Sequence, residues 1–586
     1  MNSTNSHLQN KNSNTIKFTA DIFMYGGTVL NVYSGELLKA NIAIKDEKIW
    51  YVGPGSSMTG TDTLVLNVEN KVLAPGYIEP HSHPWNIYNP ARIGEEAGRL
   101  GTTTLFCDNL IFYMLMDLGR FEKFIKVFSD MPIKFYWSCR AVPQTPMEKE
   151  GDIYSVDKIG RLLQNPLVRS LAEITRWPEI IRENPRIMEL IRHARSLGKK
   201  VDGHTAGAKY DALNSIARAG VNSCHESITC EEAIDRLRLG FYVMLRQSSL
   251  RLDLRSLLEK ASLKKVLTDR MMLTTDGASP SFYHQFGMTD NLINIAIEEG
   301  IEPIQAYRMA TINPAAYFGL DHKIGGIAPG RDADILVIKD LLHPTPETVI
   351  SRGRIIAENK NLINPFPRLD WENFLPKTEF TKSAWRVKSD IFKIPCKTKK
   401  IKFPTIRLIS AVITQTDWVE FQSRDGFLNL NSKNGYCFAA LVNRDGRWVT
   451  NGILKGFGYM MGGFASSVNT AVEILATGRD PEAMSVAVNR VLEIKGGMVV
   501  VENGRIVYEW PLPLGGMMSD ASIEHLAKKE EELNKLLSGA GYQFHDPLYT
   551  LLFLPNDFLP AVRMNYQGVV DIKNNKILWP RRDLVE

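Results

Sequence analysis

Cysteine is scarce in this sequence: Cys107, Cys139, Cys224, Cys230, Cys396 and Cys437 are the only six in 586 residues. None forms a Cys-x-x-Cys pair, and so few scattered thiols cannot staple a chain this long. That excludes a disulfide scaffold and fits a reducing, cytoplasmic setting. Long apolar runs are missing too. No stretch offers eighteen uninterrupted apolar residues, so no spanning helix and no membrane partner are expected. Neither sign of charge dominates: 70 basic against 65 acidic residues leave +5, which gives no case for nucleic acid. The clearest basic run, residues 397–402, reads as a solvated linker. Residues 1–17 are polar, rich in Asn and Ser, and lack the apolar core of a signal peptide; a disordered tail is expected there.

What is present is organised by texture. Residues 18–74 hold short runs of alternating apolar and polar residues (28–33, 41–45, 49–52) and read as the first part of a small β domain. From 75 to 324, strand-like runs (102–106, 133–137, 170–172, 199–202, 221–224, 241–245, 271–274) alternate with helical ones (117–128, 184–197, 210–219, 231–239). About 240 residues of this alternation predict an α/β fold, a (β/α)8 TIM-like barrel. Strands return over 325–364, so the barrel is expected to be inserted in a small β-sandwich. Residues 365–404 are irregular, proline-bearing and basic, and read as a linker. Residues 405–586 mix strands (406–411, 498–501, 505–508) with helices (480–494, 522–537), which suggests a C-terminal α/β domain.

The stretch 71–90 carries the first chemical signal. An apolar run meets the Pro75-Gly76 turn, and His81-Ser82-His83 follows. In an extended strand, residues two apart share a face, so His81 and His83 aim at one point. Glu173, His204, His225 and Asp276 also stand just beyond apolar strand-like runs. In a (β/α)8 barrel such positions gather at the carboxyl face, where the chemistry of the fold lies. Imidazoles and carboxylates suit zinc, iron or manganese. Only 11 histidines occur, and four of them sit at strand ends. Plainer readings exist for each residue. The histidine pair suits a strand end near a turn, Glu173 could pair with Arg176, and His204 could be a turn histidine. Asp276-Gly277 is an ordinary turn signal, and Glu226 could serve the N-terminus of the helix near Glu231. Together the six residues favour a metal site.

Several stretches resemble the adenine deaminase family of the amidohydrolase superfamily. They are Leu73-Ala-Pro-Gly-Tyr-Ile-Glu-Pro-His-Ser-His83, Gly101-Thr-Thr-Thr104, Asp202-Gly-His204, His225-Glu226 and Thr275-Asp276. Ala310-Thr-Ile-Asn-Pro-Ala315, Gly325-Gly-Ile-Ala-Pro-Gly-Arg-Asp-Ala-Asp334 and Leu512-Pro-Leu-Gly-Gly-Met-Met-Ser-Asp520 complete the set. The last resembles the C-terminal domain characteristic of these deaminases. The resemblance implies a divalent metal pair, manganese or iron, with zinc an alternative. It implies His81, His83, His204, His225 and Asp276 as ligands, with Glu173 as the bridging carboxylate. It also implies water attacking the purine carbon that bears the amino group, Asp276 and Glu226 as catalytic residues, a small purine-like substrate and a homo-oligomer. The alternatives are an amidohydrolase that opens a cyclic amide, and a degenerate purine-binding paralogue. Some family elements differ here. Pro84-Trp85-Asn86 replaces a Glu-Ser-Ser run, Cys107-Asp108-Asn109-Leu110 an Asp-Pro-His-Glu run, and Arg246-Gln247-Ser248-Ser249 an Arg-Glu-Gly-Ser run. Asp276-Gly277 replaces an Asp-Asp pair, and Ala465-Ser466-Ser467-Val468-Asn469 a His-Asp-Ser-His-Asn element.

Overall fold

Residues 18–259, 266–381, 385–430 and 434–584 are described in a computed structural model; the expected tail, residues 1–17, lies outside them. Eight parallel strands run side by side in chain order: Tyr77–Ser82, Thr102–Asp108, Lys134–Arg140, Val168–Ile174, Lys200–Gly203, Ser223–Cys224, Tyr242–Arg246 and Met271–Thr274. Every residue of Thr102–Asp108 and of Lys134–Arg140 is buried, as parallel strands covered on both faces require. Between them run helices whose ends the sequence marks. Pro185–Ser196, for example, starts with proline and is capped by the Asn184 side chain on the Arg186 and Ile187 amides.

The first and eighth strands are laced together by a buried carboxyl. Thr274 Oγ1 donates to Glu79 Oε1 (2.6 Å) and to the His81 carbonyl (2.9 Å). Thr275 donates to Glu79 Oε2 through its amide (2.9 Å) and its hydroxyl (2.8 Å). Burial pushes the Glu79 carboxyl up to about 7 against these donors. The seam thus sets the height of His81, two residues along the same face.

The chain before and after the barrel builds one sandwich. Val72–Pro75 pairs antiparallel with Ile335–Ile338 and parallel with Thr28–Asn31 in a seven-stranded sheet. A four-stranded sheet covers it, with Ile22, Ile42, Ile44, Leu73, Ile335 and Ile350 among the buried residues between them. The expected barrel inserted in a β-sandwich is therefore the observed architecture. Gly76 makes the handover from sandwich to barrel, where any side chain would run into Thr103 and Asp334. The Gly-Arg-Asp-Ala-Asp motif locks the same joint. The Lys134 ammonium lies 2.7 Å from both oxygens of buried Asp334, and Lys48 lies 2.6 Å from Asp332.

Residues 365–381 and 385–404, where a linker is expected, contribute buried side chains. Phe366, Trp371, Leu375, Phe380, Phe392 and Ile394 are buried, and the strand Lys400–Leu408 begins inside the basic run. Its lysines alternate with apolar residues, so the run is solvated on one face only. Beyond it lies a mostly antiparallel sheet with the helix Pro481–Glu493 packed through Met484, Ala487, Val488 and Val491. This region docks on the barrel. Ile87–Tyr88 pairs in parallel with Met518–Ser519, and Glu530 of the helix Ile523–Gly539 accepts the Ser281 amide at 2.7 Å. Among the described residues, no helix is long and apolar enough to cross a membrane.

Glu530 gives the docking surface a pH dependence. Burial, reinforced by Asp546, pushes its carboxyl up to about 7. A carboxyl with a raised folded-state pKa binds more protons folded than unfolded between its ordinary value, about 4.3, and about 7. Its contribution to stability therefore declines as pH rises through that window and is level above it. Glu530→Gln keeps the acceptor for the Ser281 amide. It is expected to gain on the wild type by about 2 kcal/mol between about pH 5 and about pH 7. Melting curves across that range check this, and parallel curves for the two proteins would refute it.

Candidate metal centre

Two groups of three donor atoms lie side by side at the carboxyl end of the barrel. His81 Nε2, His83 Nε2 and Asp276 Oδ1 are 3.1–3.3 Å apart. Glu173 Oε1, His204 Nδ1 and His225 Nε2 are 2.9–3.3 Å apart. The His81 and His225 rings stack at 4.0 Å and join the two groups. Glu173 also approaches the first group: one of its oxygens is within 4.8 Å of donor atoms of His83 and Asp108.

A second ring of charged side chains holds these donors in place. Asp202 Oδ2 lies 3.6 Å from His81 Nδ1 and 3.4 Å from His225 Nδ1. It favours a proton on each outer nitrogen, which leaves the inner lone pairs free. Asp108 Oδ1 stands 3.6 Å from His83 Nδ1 and accepts from Trp85 Nε1 at 2.9 Å. Arg140, fully buried, binds Asp108 through Nε (2.5 Å) and Glu173 Oε2 through Nη2. Arg246 joins Glu226 to Asp276 Oδ2, the latter at 2.6 Å, and Arg251 adds a 3.0 Å contact to Glu226.

The titration of the centre follows from this wiring. Burial pushes the Asp276 carboxyl up, but Arg246 and the His81 and His83 rings outweigh it and hold it well below the usual range. Burial opposes ionisation of Glu173 too, and Arg140 with His204 and His225 overcomes it. Glu226 is brought down to about 2 against burial by Arg246, His204 and Arg251. Three carboxylates are therefore ionised at one buried place.

The donor set fits a pair of divalent cations. Each group turns two imidazole nitrogens and a carboxylate oxygen inward. A cation held tetrahedrally at about 2.0–2.1 Å sets its donors roughly 3.4 Å apart, close to the spacings observed. Among the described residues no cysteine joins either donor group, which favours a borderline or hard ion.

All six proposed ligands thus come together, and two of the plainer readings fail on contacts. Arg176 does not pair with Glu173; it binds Glu150 and Asp557, each at 2.6 Å. The helix Cys230–Arg238 is capped by Thr229, whereas Glu226 points to the arginines, with Oε1 3.6 Å from His204 Nδ1. Asp276 and Gly277 both adopt left-handed backbone, φ 49° and 71°. A Cβ on Gly277 would lie 2.6 Å from that of His83, so this backbone has no room for the family's second aspartate. Asp108, Arg140, Asp202 and Arg246 were not identified from sequence. The signal for Asp202 was present: it lies two residues before His204, on the same strand face.

Comparison with known proteins agrees with this arrangement. The amidohydrolase family model matches residues 72–357, and the adenine deaminase C-terminal domain model matches residues 411–576. A Halalkalibacterium halodurans protein provisionally named an adenine deaminase is 35% identical, with 95% of each chain covered. A Bacillus subtilis protein with the same provisional name is 34% identical over 96% of each chain. The adenine deaminase of Moorella thermoacetica is 30% identical, again over 96% of each chain.

Proposed function

The chain belongs to the adenine deaminase family of amidohydrolases, and from that premise we propose that it hydrolyses adenine to hypoxanthine and ammonia at a divalent metal pair. The observation that carries this reading is the pairing of two inward-facing donor triads at the barrel mouth. His81, His83 and Asp276 would hold one ion, and His204 and His225 the other. Glu173, a member of the second group that also comes within 4.8 Å of a His83 donor atom, suits a carboxylate shared by both. Manganese or iron suits imidazole and carboxylate donors, and zinc is the alternative. When bound, such a pair lowers the pKa of water and supplies a nucleophile near neutral pH.

The chain's own groups handle the protons. Water adds to the purine carbon that bears the amino group. Asp276 takes a proton from that water and delivers it to the departing ammonia. Arg246 holds its second oxygen, so the carboxylate keeps one orientation through the cycle. Glu226, ionised between two arginines, is the further acceptor at the rim and can hold a hydrogen bond from the base. The six cysteines are buried and none is joined to another in a disulfide, which supports a cytoplasmic setting.

The test is a product assay on the purified, metal-loaded protein with adenine and, separately, with saturated cyclic amides. Equal amounts of hypoxanthine and ammonia support the reading. A ring-opened product from a cyclic amide without purine turnover would replace it with amide hydrolysis. Purine binding without any product would make the protein a binding paralogue.

A further inference from the structure

The donor triads are walled on one side by the C-terminal domain. Its helix Pro547–Phe553 runs across the barrel mouth. The Tyr549 hydroxyl donates to the carbonyl of Gly277, next to Asp276. The Tyr549 and Phe553 rings lie 5.4 Å apart, and Phe553 meets Phe558 edge to face at 5.5 Å. Phe558 in turn meets the His204 imidazole edge to face at 5.0 Å. Three aromatic rings therefore span from the Asp276 side of the centre to the His204 side. Their far end is pinned. Asp557 binds Arg176 at 2.6 Å, and its amide donates to the Gln144 carbonyl at 3.0 Å, so the residue before Phe558 is tied to two barrel loops.

Phe558 is only half-buried, although it meets both His204 and Phe553. Trp85, 5.1 Å from the His83 ring, is fully buried and committed to Asp108. The side chains that hold the donors in place are charged: Asp108, Arg140, Asp202, Glu226, Arg246 and Arg251. A half-buried apolar ring in contact with a ligand imidazole offers a surface for a flat π-system, since aromatic rings favour offset-stacked or edge-to-face contact.

We propose that Phe558 is a specificity-determining wall of the substrate pocket, against which the planar heterocycle lies, selecting aromatic bases over saturated cyclic amides. The inference rests on the reading of the centre as a deaminase. Truncating an aromatic platform under a base lowers affinity by roughly tenfold or more. Phe558→Ala is accordingly expected to raise KM for adenine about tenfold or more, with kcat within about twofold and metal content unchanged. Phe558→Tyr restores KM. Phe558→Leu keeps apolar bulk without a π face and does not, while its melting curve reports that the fold is kept. An unchanged KM in the Ala and Leu variants would overturn the proposal. So would rescue by Leu equal to that by Tyr, or a loss confined to kcat. A wild-type protein that neither binds nor deaminates adenine would overturn the deaminase reading and the wall with it. Normal wild-type turnover with unchanged KM in the variants would remove the wall alone.

Discussion

Asp276→Asn retains substrate binding and much of its metal but loses turnover by about 10²–10⁴-fold, the range general acid–base catalysis supplies. The carboxylate is used at both ends. Oδ1 stands 3.2 Å from His81 Nε2 and 3.1 Å from His83 Nε2, and Oδ2 meets Arg246 at 2.6 Å. An amide of nearly the same shape keeps one oxygen for the ligand position. Its nitrogen then faces the Arg246 guanidinium, donor against donor, and it cannot accept the proton of the attacking water. Ammonia release and adenine binding, measured on both proteins, separate the two losses. Equal turnover in variant and wild type would rule out the proton transfer. Gly277 bears on the same experiment. With no second carboxylate beside Asp276, the conversion of adenine to hypoxanthine is expected to be slow. Efficient turnover of adenine would refute that expectation.

Glu173→Gln is the second large effect. Among the described residues, Glu173 Oε1 is the nearest anionic oxygen to His204 Nδ1 and His225 Nε2, at 2.9 and 3.2 Å. Neutralising it should lower bound metal from two ions per chain towards one. The affinity loss should be at least the roughly 10–100-fold seen when only a group behind a ligand is removed. Turnover should fall with it. The fold persists, because Arg140 still has Asp108 at 2.5 Å as its counter-charge. Elemental analysis of the folded variant gives the answer, and full occupancy would remove Glu173 from the ligand set.

The ligands were legible because strand chemistry is local. His81 and His83 share a face by the period of two, and each later ligand stands just beyond its own apolar run. The residues behind them were not. Arg140 matters because the third and fourth strands become neighbours, which brings its guanidinium to Glu173, far along the chain. A lone arginine at a strand end carries no sign of that. Arg246 acquires its role in the same way, from the pairing of the seventh and eighth strands. Packing in the stretch 365–404 was not legible, for a compositional reason: its prolines and lysines are conspicuous, while the burial of Phe366, Trp371 and Phe392 depends on surfaces supplied by distant segments. Gly277 shows the same limit at the site itself. Its departure from the family pattern is visible in sequence, but the cause is spatial, a clash with His83.

The central claim is that the paired triads hold metal and that adenine is deaminated there. The direct measurement is bound metal and hypoxanthine formation on one purified preparation, before chelation, after it, and after re-addition of manganese, iron or zinc. The account predicts a pair of ions per chain, turnover that disappears with them, and turnover that returns with re-addition. Undiminished conversion of adenine by the metal-stripped chain would contradict it.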